Sequence, residues 1–318
     1  MLAPGRSPAY LPGIVFFWER KAAMTRHVID SPGTVSLADY DPDDTGGMNK
    51  QEVETQLLPK LAQSRERLQE LLYGAQQHAV IIILQGMDTS GKDGTIKHVM
   101  SGINPAGCHV WNFKVPSEEE RNHDFLWRVH RRTPERGTIS IFNRSHYEDV
   151  LIARVHNLVP REVWKKRYQQ INDFEQALTD NGVLVLKFFL HISKDEQEKR
   201  LYEREQDETK AWKLAVADWQ ERAYWDEYVE AYEEAIGRCS TSLAPWHIVP
   251  ANKKWYRNYV IAQALVAELE PFAKAWHKTL KQRGERALAE LRAFHEQEGQ
   301  HNNQRPAKQK AAKHKKRQ

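Results

Sequence analysis

Apolar and polar positions along this chain follow two rhythms. Residues 80–84, 183–192 and 246–251 are continuous apolar runs bounded by turn residues, the pattern of strands buried on both faces of a parallel sheet. Residues 110–115 and 138–142 are shorter strand candidates. Elsewhere apolar residues recur at helical spacing. They do so over about 51–76 (Val53, Leu57, Leu58, Leu61, Leu68, Leu71, Leu72), over Arg161–Asp180 and over 253–272. Ser117-x-x-Glu120 and Ser193-x-x-Glu196 read as capping boxes. The first opens a helix running to Thr133-Pro134, and the second a charged, tryptophan-rich stretch to about Gly237. Strands alternating with helices predict an α/β fold, a parallel sheet flanked by helices, with its ligand beyond the carboxyl ends of the strands.

The ends read differently. Residues 1–50 are an irregular extension rich in Ser, Pro, Gly and Asp, with Met24 a second candidate start that leaves 1–23 upstream. Residues 51–272 form the expected domain, with a helical lid at about 195–237. Residues 273–318 begin helical and end in a disordered tail. The formal charge of +4 comes from that tail, which has seven cations from Arg305 onward and no acid, so the rest of the chain is net negative. A polyanion site in the body therefore has to be a local cluster. The tail reads equally as a gatherer of polyanions or as a solubilising appendage.

Two cysteines, Cys108 and Cys239, are far apart and lack metal-type spacing. They point to a reducing compartment, and with no stretch of membrane-span length the expected location is the cytoplasm.

The chemistry begins where the first apolar run ends. Gly86-Met87-Asp88-Thr89-Ser90-Gly91-Lys92 fits G-x-x-x-x-G-K, followed by Asp93, Gly94 and a helix carrying Lys97. Backbone N–H groups of such a loop converge on phosphate, and the helix dipole and the lysine add positive charge. Asp93 stands where Ser or Thr usually holds Mg²⁺. Asp88 is then the candidate metal ligand, and Asp93 is read as an i,i+4 partner of Lys97. The 138–142 strand delivers Asn143, Arg144 and Ser145, with Glu148 and Asp149 one turn later. Arg128, Arg131 and Arg132 form the densest basic cluster of the body. Arg128 is open to pairing with Asp124, whereas Arg131 and Arg132 are freer to bind anions. In the lid, Arg200, Arg204, Lys210 and Lys213 read either as closing over phosphates or as a solvated face.

The segments GMDTSGKDGTIKHV, FLWRVHRRTP and FNRSHYEDVLIARVH resemble polyphosphate kinase family 2 over roughly residues 50–272. The resemblance implies a thymidylate-kinase-like P-loop fold, Mg²⁺ (or Mn²⁺) dependence, and a dimer or tetramer. It implies polyphosphate and adenine nucleotides as substrates, guanine being a second base, with no membrane or specific nucleic-acid partner. It makes Asp88 the metal-organising aspartate and Lys92, Arg144 and Arg132 the catalytic cations. Gly86, Thr89, Ser90, Gly91, Asp93, Gly94, Lys97, Arg128, Arg131 and Arg204 become phosphate-binding residues, and Asn143, Glu148 and Arg154 the acceptor-side residues. Asn-Arg-Ser, where relatives acting on diphosphates carry Asp-Arg-Ser, is similar to the class III subgroup that accepts AMP and ADP. The alternatives are an ATP-dependent nucleotide kinase on the same fold and a non-catalytic polyphosphate- or nucleotide-binding protein.

Overall fold

The computed structural model describes residues 27–207 and 216–304. The expectations for residues 1–26, for Lys210 and Lys213 in the lid, and for the tail from Arg305 onward lie outside the described residues. Six strands form one sheet: β1 (Val28–Ile29), β2 (Ala79–Gln85), β3 (Cys108–Asn112), β4 (Ile139–Asn143), β5 (Val183–His191) and β6 (Trp246–Pro250). Their order is β1-β6-β5-β2-β4-β3, all pairs parallel except β1 with β6. Every residue of β2 and β6 is buried, as continuous apolar strands between two helical layers require. After β2 the chain builds β3 and β4 on one side, then β5 and β6 on the other. The C-terminal end of β2 is therefore the topological switch point where a ligand crevice opens.

The main helices are α1 (Leu58–Ala75), α2 (Lys92–Val99), α3 (Arg161–Asp180), α4 (Lys194–Glu205), α5 (Trp225–Cys239) and α6 (Lys254–Gln304). Three differ from expectation for identifiable reasons. Residues 53–57, ahead of α1, form a π-helical turn; Pro59 just inside α1 has no N–H to give to the preceding turn. The helix expected from Ser117 to Arg132 is two short pieces, Glu118–Arg121 and Trp127–His130. The capping box at Ser117 is complete, but Asp124 Oδ1 takes the N–H groups of Leu126 and Trp127 and restarts the helix. The helix expected over 253–272 and the helical segment expected after it are one helix, running without a break through Pro271 to Gln304. Trp276, beyond that boundary, is fully buried and donates to His78 Nδ1 at 2.9 Å.

The lead-in is also more than irregular chain. Val28 and Ile29 pair antiparallel with His247 and Trp246 and cover the β6 edge. Leu37 is buried, and its N–H is capped by Glu233 at 2.7 Å.

One polar cluster sits inside the core. Lys187, in the middle of β5, donates to Glu175 Oε2 (2.6 Å), Tyr147 OH (3.0 Å) and Cys239 O (2.5 Å). His146 and Tyr147 share Glu175 Oε1 at 3.2 and 2.9 Å. Burial pushes the Glu175 carboxyl up, but Lys187 and His146 together hold it below the usual range. This pins the turn after β4 to α3 and β5. Lys187→Met should cost about 3–5 kcal/mol in urea unfolding, because a buried carboxylate loses its countercharge. Lys187→Met with Glu175→Gln should recover much of that loss.

Candidate phosphate-binding site

β2 ends in Gln85, and Gly86 turns the chain at φ +152°, where a Cβ would meet Leu190 O at 2.7 Å and Ser90 Oγ at 2.8 Å. Only glycine fits this approach. Gly91 opens α2 at φ +99°, pressed against the Arg257 guanidinium at 2.0 Å from a notional Cβ. Thr89 is left-handed without being glycine (φ +63°), a strain of about 1 kcal/mol that the surrounding contacts must hold.

Those contacts come from behind the loop. Arg200 on α4 donates to Thr89 O (3.0 Å) and Ser90 O (3.1 Å) on one side, and to Ala251 O (2.7 Å) and Asn252 O (3.0 Å) on the other. Glu196 binds its Nε at 2.8 Å. Arg257 on α6 reaches Ser90 O at 3.4 Å. Gln197 donates to Asp88 O at 3.3 Å. The lid reading of Arg200 is therefore corrected: it is buried and fastens the loop to the β6–α6 connection. Ser193 caps α4 through Glu196 N, but Glu196's side chain goes to Arg200 instead of completing the box.

Lys92 is buried and folds back on the loop, donating to Gly86 O (2.7 Å) and Met87 O (3.1 Å), with Ser90 Oγ at 3.5 Å. Burial, then Arg144 nearby, push its pKa down to about 8, against the attraction of Asp88, Glu148 and Asp93. Across the switch point, Arg144 sits at the end of β4 with φ +62° and donates to Asp88 Oδ1 at 2.7 Å. Glu148 is partly buried. Burial raises its pKa, although Arg144, Lys92 and a hydrogen bond from Gln85 favour the charged form. Gln85 also donates to Ser145 Oγ at 3.2 Å. Asn143 Nδ2 donates to Asp93 Oδ1 and Asn112 Oδ1, both at 2.8 Å. Asp93 thus reaches the strand end, and Lys97, expected as its partner, is exposed on the next turn.

The expected residues divide into two groups. Asp88, Lys92, Arg144 and Glu148 converge at one place, with Asp93 and Asn143 joined beside them. Several arginines read as anion ligands are already engaged. Arg128 is buried, donates to Lys114 O at 2.8 Å and lies 3.8 Å from both Glu120 and Asp149; it does not use Asp124. Arg131 has Glu119 at 3.8 Å and stacks on Trp127. Arg154 is held by Glu234 at 2.7 Å and stacks on Trp164. Arg132 lies over Trp111 at 4.1 Å, with no ion-pair partner among the described residues. Arg204 is half-buried on the last turn of α4. Sequence reading missed Gln85, Gln197 and Arg257. The signal available was their position at strand ends or on the helices behind the glycine loop.

The donor set suits Mg²⁺. No group of three His, Cys, Asp or Glu side chains able to hold a metal ion occurs among the described residues, so they form no all-protein cage. Asp88 offers one carboxylate, 30% exposed, beside the phosphate loop, and buried Thr89 Oγ1 has no hydrogen-bond partner among the described residues. One hard oxygen ligand, completed by substrate phosphates and water, is the usual arrangement for this ion.

A glycine loop and buried lysine at the switch point, opposite an arginine-bearing strand end, define a P-loop kinase. The chain belongs to the polyphosphate kinase 2 (PPK2) family, whose model matches residues 48–276. It is 50% identical over 251 residues to the AMP/ADP-polyphosphate phosphotransferase of Meiothermus ruber, covering 79% of this chain and 94% of that protein. It is 46% identical over 233 residues to the ADP-polyphosphate phosphotransferase of Rhodopseudomonas palustris, covering 70% and 81%. The crystal structure of polyphosphate kinase 2 from Arthrobacter aurescens TC1 matches with a TM-score of 0.73 at 40% identity, covering 77% of this chain and 93% of that one. No helix among the described residues is long and apolar enough to cross a membrane.

The depressed Lys92 pKa has a measurable sign. Its ammonium is the anion-binding form, and it is lost as pH rises through about 8 in the free protein. A bound phosphate chain raises that pKa. Tripolyphosphate affinity, measured by calorimetry, should therefore fall by up to about tenfold per pH unit above pH 8. Lys92→Met should bind weakly and lose that pH dependence.

Proposed function

We propose that this protein transfers a phosphoryl group from inorganic polyphosphate to AMP and to ADP, in a reaction that is reversible in principle. The observation that carries the reading is the convergence of Asp88, Lys92 and Arg144 at one switch point. It does so in a chain half identical to an AMP/ADP-polyphosphate phosphotransferase.

The nucleophile is a terminal nucleotide phosphate. Its second pKa near ~6 leaves it largely ionised at neutral pH, so no general base is required. The barrier is repulsion between two polyanions and the charge on the transferring group. The loop's N–H groups and Lys92 hold the phosphates. Lys92 must leave the carbonyls of Gly86 and Met87 to do so, which costs little because its new partners are anions. Arg144 faces the same point from β4 and fixes Asp88. A Mg²⁺ ion held by Asp88 would supply further neutralisation of the phosphate oxygens. Asn143 and Glu148 stand on the β4 side and are the residues proposed to set acceptor preference.

The test is a phosphate-transfer assay with Mg²⁺ and AMP, offering polyphosphate or ATP as sole donor, with ADP tried as acceptor too. ADP and then ATP formed from polyphosphate is the expected outcome; product from ATP alone would make the protein an ordinary nucleotide kinase. Lys92→Ala should lower turnover by about a thousandfold or more while the protein stays folded by circular dichroism. Asn143→Asp should shift the ratio of AMP to ADP turnover toward ADP, and an unchanged ratio would remove Asn143 from that role.

A further inference from the structure

The apolar stripe that fastens α6 to the domain does not stop where the domain does. Leu269, Ala273 and Trp276 are buried. At the same three- and four-residue spacing follow Leu280, Gly284, Ala287, Leu291 and Phe294, with Leu288 flanking them. Leu280 still leans on Gly74, and Arg283 donates to Gly74 O at 2.9 Å. Beyond that point every residue from 284 to 298 is exposed, including Leu288 (55%), Leu291 (51%) and Phe294 (54%). A solitary helix in water does not need a stripe of this width, and exposed apolar stripes of this kind mark interaction surfaces.

Two features identify what covers it. The first is charge. Residues 277–286 carry Lys278, Lys281, Arg283 and Arg286 against Glu285 alone, whereas 287–298 carry Glu290, Glu296 and Glu298 against Arg292 alone. A second copy lying antiparallel sets each basic half against an acidic half, while a parallel copy sets like on like. The second is Gly284. Glycine inside a helix costs about 1 kcal/mol relative to alanine. Nothing lies within 4 Å of a Cβ placed there, so no contact among the described residues requires it. In an antiparallel pair it faces the bulky end of the partner's stripe, where a missing side chain lets the helices close.

We propose that residues 280–298 of α6 are a self-docking surface, on which a second copy of this chain packs antiparallel about a two-fold axis close to Ala287–Leu291. This deepens the expectation of a homo-oligomer by naming its surface and orientation, and it is independent of the phosphate site. An isologous two-fold contact of this kind closes on itself, and so yields a discrete dimer of domains rather than a filament.

The test uses the full chain. Leu288→Glu with Leu291→Glu keeps helix propensity and touches nothing in the phosphate site. Sedimentation velocity over a concentration series should show self-association weakened by at least about tenfold. Transfer activity per chain should stay unchanged in the same variant. Orientation is read by cross-linking in a Cys108→Ser background. Residues 281 and 298 are about 25 Å apart along one helix at 1.5 Å per residue. A short bismaleimide should therefore join chains carrying Lys281→Cys to chains carrying Glu298→Cys, and neither variant to itself. Self-cross-linking of each variant would indicate a parallel pair and overturn the proposal. Sedimentation indistinguishable from wild type, with no cross-link between the variants, would assign the stripe to another segment or a different protein and overturn it as well.

Discussion

Positive charge has to be stored at close range before any anion arrives, and the site is built around that constraint. Lys92, Arg144, Arg200 and Arg257 crowd the same glycine loop. The cost shows in Lys92, which burial and Arg144 bring down to a pKa of about 8. The four cations are kept in three ways. Arg200 and Arg257 donate hydrogen bonds to loop carbonyls from behind. Lys92 bonds to the loop it serves. Arg144 has Asp88, the one carboxylate placed in the loop. The first two arginines hold the loop from behind, while Lys92 and Arg144 stand on the side where a phosphate is proposed to bind. Charge that stabilises the loop and charge proposed to bind ligand are thus separated by which side of the loop they occupy.

The same division explains why basic residues were the least legible part of the sequence. The strand–loop–helix at 80–97 could be read because a continuous apolar run, two glycines and a lysine occupy fixed offsets. α3 could be placed between its observed end residues because Pro160 and the Asn181-Gly182 pair bracket a periodic stretch. Arginines have no such grammar. When only i±3 and i±4 neighbours are considered, Arg128 looks paired with Asp124 and Arg154 looks free, but acids from other elements, Asp149 and Glu234, hold them. Arg200 looks like a lid residue until the β6–α6 connection folds beneath it. These pairings join residues 21 to 80 positions apart, or more, and local spacing carries no information about them.

Secondary structure failed for a related reason. The breaks at 122–124 and 53–57 come from single side chains, Asp124's carboxylate and Pro59's ring, acting on the backbone within a periodic pattern that continues past them. β1 escaped notice because two residues on the edge of a sheet leave no rhythm to detect. The continuation of α6 past Pro271 is a different case, since helix was expected on both sides and only the lack of a break between them was not. Proline is a strong stop signal, but here the apolar stripe on both sides of it packs on one surface, and Trp276 and Phe272 stack at 5.7 Å across the junction. Tertiary burial outweighs one lost backbone bond.

Two departures from the common P-loop pattern, an aspartate after the lysine and an asparagine at the strand end, make sense together. In the common pattern a hydroxyl follows the lysine and a carboxylate ends the strand, so one negative charge faces the metal from the sheet. Here the carboxylate is on α2, as Asp93, and the amide is on β4, as Asn143, joined at 2.8 Å. The local charge is the same and its position has moved by one strand-to-helix step. An acid at both positions would bring two carboxylates to hydrogen-bond distance, which demands a shared proton or a cation between them. The amide removes that demand: it donates to Asp93 and to Asn112 and ties α2, β4 and β3 into one rim. The β4 end of this rim therefore carries a fixed neutral amide in place of a second carboxylate, and the rim as a whole keeps the single charge of Asp93.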